Sequence, residues 1–367
     1  MKMLRWYKIF CLISTLLAAT SAQAASKPAT SEEAPKPVSV IFQTSFIPTI
    51  QYAPFYVAQE VTWSKLNVQG KALPGKGTAF AIQTVSAGSA QLGNADWFEV
   101  INAIQQGAPV TIISNFHQKD ASGVYYLRKS GIQGLKDLRG KKLGIYPFGT
   151  GAPMAKAALQ KEGIPLESIN FVNTTPPGDF LLVREEKVDA QVGYAGSQAI
   201  WLKCQGVDAA DFPLAQWFGS YGMAIFANNA WLAATPPETV GRVLAGIFQG
   251  MTFVKRNFEE GFKIMARTNP DSKVERFREL GWGPFQHEVL LSSPDVEKNG
   301  FGWIDPAKVE RTQNQLIQLG LLKQKADLAN VYTTKYLQDQ RVKEAAMEYA
   351  RTPVARMPDD VKKTCGM

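Results

Sequence analysis

Strand-length apolar runs alternate with helix-length amphipathic segments along most of the chain, and this narrows the fold to sheets covered by helices. The first strand is Val38-Ser39-Val40-Ile41-Phe42. A helix is expected near Pro54, which a first helical turn tolerates, with Phe55, Val57, Ala58 and Val61 apolar at helical spacing. Residues 66–73 read as a strand, 78–88 as a helix with Ala81, Ile82 and Val85 on one side, 97–106 as a helix, and 109–114 (PVTIIS) as a strand. Regular alternation of this kind predicts a parallel sheet. The scheme then restarts with a strand at 124–128, a short helix and strand within LKDLRGKKLGIY, a helix at 152–162 and a strand at 169–173. PPGD opens a further helix near 178–187.

Segments 79–96 and 179–196 share one order: helix, turn, short strand, small-residue loop, with Gly93 and Gly193 at matching positions. We read this as two comparable α/β lobes rather than a repeat array. Beyond residue 222, MAIFA is a returning strand and PPETVGRVLAGIFQGMTFVKRNF a long amphipathic helix. More helices are expected at 259–267, 271–280, 306–319 and 323–328, and residues 330–337 (NVYTTKYL) should dock on the surface. The tail, 338–367, is charged and contains proline, so its end is expected to be loosely held.

At the start, Lys2, Arg5 and Lys8 precede the apolar run 9–19, and ATSAQA follows. That layout predicts a secretory signal over 1–24; its apolar part is too short to span a bilayer as a helix. A buried N-terminal helix is the alternative. Residues 25–37 (ASKPATSEEAPKP) offer nothing to bury and read as a flexible leader. Removing residues 1–24 takes three positive charges from a formal net of +8 and leaves +5. The remaining basic residues are scattered, with no aromatic-interleaved stripe of the kind nucleic acid requires. Cys204 and Cys365 remain; the second lies in a polar tail, so no structural disulfide is expected. Two distant histidines, His117 and His287, without metal-ligand spacing, predict no metal site.

In open α/β sheets, ligands sit beyond the C-terminal ends of strands. Gly149, Thr150 and Gly151 lie there, ahead of a helix whose free N–H groups attract an anion, a carbonyl or a ring nitrogen. An ordinary αβ turn is the plain reading. A nucleotide phosphate loop fails because Ala152 and Pro153 stand where lysine and a hydroxyl are needed. Gly77 and Thr78 repeat the theme. Aromatic residues recur on the same loops: Phe46, Tyr52, Trp97, Phe98, Tyr146, Phe148, Tyr194, Trp217 and Tyr221. Each singly is also an ordinary packing residue; together they point to a ring-lined site. Asp96 either accepts from a ligand amino group or caps the helix after it. Gln51, Asn94, Glu99 and Gln198 are weaker polar candidates. No nucleophile elbow or Cys/His pair appears, so a binder is expected rather than an enzyme, with no catalytic residue and no cofactor.

The order YAPFYVAQE (52–60), GKGTAFAIQTVSAGSAQLGNAD (75–96), QGAPVTIIS (106–114), LKDLRGKKLGIYPFGTGAP (135–153), VDAQVGYAG (188–196) and FANNAWLAATPPE (226–238) resembles the NMT1/THI5-like periplasmic solute-binding proteins. That group includes binders of aliphatic sulfonates, taurine, nitrate and pyrimidine precursors of thiamine. The resemblance implies a type II periplasmic binding protein fold: lobe I over 38–124 and 223–337, lobe II over 125–222, and two hinge crossings. It implies a periplasmic monomer that closes on a small solute, bringing Tyr52, Thr78 and Asp96 toward Tyr146, Gly149 and Thr150. Its partners would be the membrane permease and ATPase of an ABC importer. The many rings and Asp96 favour a flat heterocycle such as a thiamine-precursor-like pyrimidine. A sulfonate, taurine or another small organic acid is the alternative, and an interaction protein with a plugged cleft is an alternative of another class.

Overall fold

The computed structural model describes residues 37–147, 151–175, 180–272 and 274–367. The export segment, all but the last residue of the leader, Phe148, Gly149, Thr150 and the whole PPGD turn lie outside the described residues.

The chain opens with β1 (Val38–Gln43), α1 (Ala53–Val57), β2 (Val68–Leu73), α2 (Thr78–Ser86), β3 (Leu92–Asp96), α3 (Trp97–Gln105) and β4 (Val110–Asn115). It then builds β5 (Ser122–Leu127), β6 (Lys142–Ile145), α4 (Gly151–Lys161), β7 (Asn170–Asn173), α5 (Phe180–Arg184), β8 (Ala190–Tyr194), α6 (Ser197–Cys204) and β9 (Ala209–Pro213). Strand β10 (Met223–Asn228) follows. After it come α7 (Asn229–Ala234), α8 (Pro237–Arg256), α9 (Phe258–Thr268), α10 (Arg276–Phe285), α11 (Pro294–Asn299), α12 (Pro306–Gln318), α13 (Leu328–Val331), α14 (Gln340–Arg351) and α15 (Asp359–Cys365).

Among the described residues the strands form two five-stranded sheets, ordered β2-β1-β3-β10-β4 and β7-β6-β8-β5-β9. Each is the framework of one α/β lobe. The expected parallel sheet is corrected in one respect: β10 runs antiparallel to β3 and β4, and β5 antiparallel to β8 and β9. These are the two strands that enter a sheet directly from the other lobe. Only short segments, 116–121 and 214–222, precede them. Neither is a helical crossover of the kind that returns a chain to a parallel position. The crossings lie side by side: Phe116 and His117 both donate from their backbone N–H to Met223 O at 2.9 Å, and Gly222 N donates to His117 O at 3.2 Å.

Strand β9 carries no apolar alternation in AADFP and sits at a sheet edge, where proline is tolerated and burial is incomplete. The sequence pattern passes over it for that reason. The helix expected at 323–328 does not form, the short α13 beginning only at Leu328, and the one expected at 271–280 is displaced to Arg276–Phe285.

The C-terminal expectations need two corrections. The tail is held to its end: Val361 and Cys365 of α15 are buried, and before them α14 packs on α8 through Val342, Ala345, Ala346 and Tyr349, all buried, at helical i, i+3, i+4, i+7 spacing. Alanines supply half of that stripe, and the charged residues around it hide it in composition. Cys204 and Cys365 do form a disulfide, because α15 brings the second cysteine against α6.

The first lobe is organised around Trp63, which is fully buried and donates its indole N–H to Val243 O at 2.9 Å. The ring fits between β2 and α8 because both present glycine. A Cβ on Gly70 would come within 1.8 Å of the indole, and one on Gly246 within 2.3 Å. Gly70→Ala is therefore expected to lower stability by about 1–3 kcal/mol, the usual result of overfilling a packed core. Chemical denaturation checks it: the midpoint should fall at an unchanged slope.

Candidate functional site

The loops and helix starts after the parallel strands of both sheets carry most of the exposed rings, Phe277 on α10 being apart from them. In the first lobe, 44–49 and 74–77 are laced together: Gly75 N donates to Phe46 O at 2.9 Å, Gly77 N to Ser45 O at 2.7 Å, and the Gln43 amide to Pro74 O at 3.1 Å. This framework presents Phe46, Ile47 and, at the start of α2, Phe80 to solvent. In the second lobe Tyr146 follows β6 and Tyr194 ends β8, 39% and 42% exposed respectively. Apolar surface gathered on one kind of loop marks a place that another molecule or surface covers.

A carboxylate cluster stands beside these rings. Asp96 ends β3 in the N-cap position of α3, yet its side chain makes no capping bond. Burial, and then the fields of Glu99 and Asp120, push its carboxyl well above the ordinary range. Glu99 is also raised by burial, against the lowering effect of a hydrogen bond with the Thr78 side chain, and its Oε2 is buried without a partner among the described residues. Asp120, on the outgoing crossing, is 6% exposed, accepts from Ser122 N at 2.7 Å and is raised by burial. Among the described residues, the charged groups acting on Asp96 are these two other carboxylates.

Tyr194 joins the cluster from the second lobe. Burial, and then the fields of Asp96, Tyr52, Asp120 and Glu99, push its phenol well above the ordinary range. Tyr194 is thus partly open to solvent and within electrostatic reach of first-lobe groups, as a residue facing a cleft between the lobes would be. Its backbone N–H is held by Gln198 Oε1 at 2.9 Å. Tyr52 backs the first-lobe side from within the core: it is 3% exposed, its hydroxyl is bonded to Ser45 Oγ at 2.9 Å and its pKa is raised chiefly by burial. Asn94 fixes that side by accepting from Ser45 N at 3.1 Å.

The structure therefore brings together Tyr52, Thr78, Asp96 and Tyr194 of the expected set, with Glu99 promoted from a weaker candidate. Asp120 escaped the sequence reading; its signal was a buried acid in the polar stretch HQKDAS between two strands. Tyr146 and Gly151 lie at the corresponding end of the second sheet, where Gly151 begins α4 close against Val192. Others of the set serve the interior. Trp97 is fully buried, donates to Asn115 Oδ1 at 2.9 Å and stacks on Tyr221 at 5.3 Å between centroids. Tyr221, on the return crossing, accepts from Asp305 N at 2.9 Å. Gln51 is buried and donates to Met223 Sδ, and Trp217 packs in the second lobe with its N–H on Glu162. Trp97 and Tyr146 thus do not share one cavity, because the first belongs to a core.

Groups whose carboxyl pKa is raised on folding add stability that is present below their ordinary values and lost as the pH climbs through the raised ones. Above the ordinary carboxyl values, holding these groups buried together therefore opposes the empty fold. Asp96→Asn is expected to raise the Tm of the solute-free protein at pH 7 by roughly 2–4 °C. The gain over the parent should vanish as the pH approaches the ordinary carboxyl value of 3.8, which a pH series of thermal melts would show.

Comparison with known proteins agrees with this architecture. The riboflavin-binding protein RibY of Chloroflexus aurantiacus is 27% identical over 372 residues, covering 92% of this chain and 99% of its own. The 4-amino-5-hydroxymethyl-2-methylpyrimidine phosphate synthase of Aspergillus parasiticus is 24% identical over 312 residues, 81% of this chain and 87% of its own. Among solved structures, the alkanesulfonate-binding protein SsuA of Xanthomonas axonopodis pv. citri, bound to MOPS, superposes with a TM-score of 0.61 at 14% identity, over 82% of this chain and 100% of its own. The family model described as NMT1/THI5 like matches residues 49–260. That match spans more than half of the chain, which therefore belongs to the NMT1/THI5-like family and has the two-lobed α/β fold of its solute-binding proteins.

Proposed function

We propose that this protein is the extracytoplasmic solute-binding component of an ABC importer, and that its solute is a flat heterocycle, neutral or cationic, bearing hydrogen-bond donors. The lobes close over the solute, and a membrane permease reads the closed form. The division into lobes follows the sheets, with the crossings at 116–121 and 214–222 and the C-terminal helices on the first lobe. The carrying observation is the electrostatic coupling of Asp96, Glu99 and Asp120 with Tyr52 and Tyr194, with no cation among the described residues acting on Asp96. Two like charges about 4 Å apart repel by about 4 kcal/mol at an effective dielectric constant of about 20. Ionised carboxylates therefore disfavour a sulfonate and favour N–H or O–H donors, while the rings cover a planar body. The names of the two relatives, one a riboflavin binder and the other a pyrimidine phosphate synthase, are in keeping with a heterocycle.

A sulfonate or other small organic acid is the second reading. The sulfonate binder among the structural neighbours favours it, and so does the raised pKa of the cluster, since a protonated carboxyl can donate to an anion.

A thermal-shift screen separates the two, because a solute that binds only the folded state raises its Tm. Riboflavin and aminopyrimidines are expected to raise it at pH 7; taurine and alkanesulfonates are not. A shift with sulfonates alone would transfer the assignment to the second reading. For the solute that binds, Asp96→Asn is expected to weaken affinity by about 10–100-fold, the loss of one charge-assisted hydrogen bond, measured by titration calorimetry.

A further inference from the structure

The Cys204–Cys365 disulfide does more than hold down the C-terminal segment. Cys204 ends α6, which packs on β8 and β9 of the second sheet. Cys365 ends α15, which packs on α10, and α10 and α9 lie against the turn Ile50–Tyr52 of the first lobe. The bridge therefore connects the lobes covalently at a third place, besides the two backbone crossings. Non-covalent contacts extend the same face. Trp201 Nε1 donates to Glu275 Oε2 at 2.7 Å, Trp282 Nε1 to Ala195 O at 3.3 Å, and the Arg278 guanidinium to Ser197 Oγ at 3.4 Å. Gly196, at φ +77°, lets the Phe285 ring approach so closely that a Cβ would come within 2.6 Å of it.

Two bodies joined only by paired crossings can swing about several axes through them. A third fixed point away from the crossings removes every axis that would separate α6 from α15. We infer that the bridge is a strut that confines opening of the lobes to rotation about the α6–α10 face, holding the solute-free protein near its closed arrangement and slowing escape of a bound solute. Only the last clause rests on the solute-binding reading. The rest concerns the empty protein.

The test compares the parent with Cys204→Ser/Cys365→Ser, both free of solute. The readouts are radius of gyration by small-angle scattering and amide exchange over 197–204 and 276–285. The expected result is a larger radius and roughly tenfold faster exchange on that face, with native far-UV circular dichroism. An unchanged radius and unchanged exchange in a folded variant would overturn the strut. Should the variant not fold, the folded parent is treated with dithiothreitol, which is oxidised to its cyclic disulfide as the bridge becomes two thiols, and the thiols are alkylated. The same two readouts then decide in the same way. A protein that opens on loss of the bridge, yet shows no Tm shift with any screened solute, retains the strut and refutes the solute assignment. One that binds a solute but does not open refutes the strut alone.

Discussion

One carbonyl organises the molecule. Met223 O accepts from both Phe116 and His117, and the bond from Gly222 N to His117 O completes the seam between the crossings. Gly222 is needed there, since a Cβ would sit 2.5 Å from Lys119 O. Lys308 Nζ braces the same seam by donating to Gln118 O at 2.6 Å. Everything that faces across the cleft depends on this register, because Asp120 leaves from the seam and Tyr221 returns into it. The Trp97–Tyr221 stack next to it supports the hinge from inside the first lobe.

The chemistry of the cleft runs against the stability of the empty protein. Three carboxylates drawn together under partial burial are each pushed toward the protonated state, and an unbonded N-cap aspartate leaves the start of α3 uncapped. Capping alone is generally worth about 1 kcal/mol to a helix. A protein selected only for stability would not keep this arrangement, which is how binding sites commonly differ from their surroundings.

Much of this was legible from the chain. Strands whose interior is apolar, such as VSVIF and PVTIIS, and helices with an apolar stripe announce themselves by periodicity. Strand β9 does not, because an edge position asks little of its side chains. The direction of β5 and β10 follows from the topology and leaves no trace in letters. In the site, Asp96 and Tyr194 were legible because they end strands. Trp97 lies next to Asp96 on the same predicted edge, yet it turns into the core; ring identity and position cannot separate those outcomes. Asp120 needed the spatial meeting of the crossings. The disulfide joins residues 161 positions apart in sequence, a separation at which pattern carries no information about proximity.

The position of β10 also dictates an order of assembly. It lies between β3 and β4, and within the sheet β4 pairs with β10 alone. During synthesis, β4 must therefore wait for residues 223–228 before it has a partner. The second sheet is drawn entirely from the uninterrupted stretch between them, so it can be completed first. The first sheet is the one whose completion is deferred, because the pairings of β10 with β3 and β4 bridge the whole second lobe.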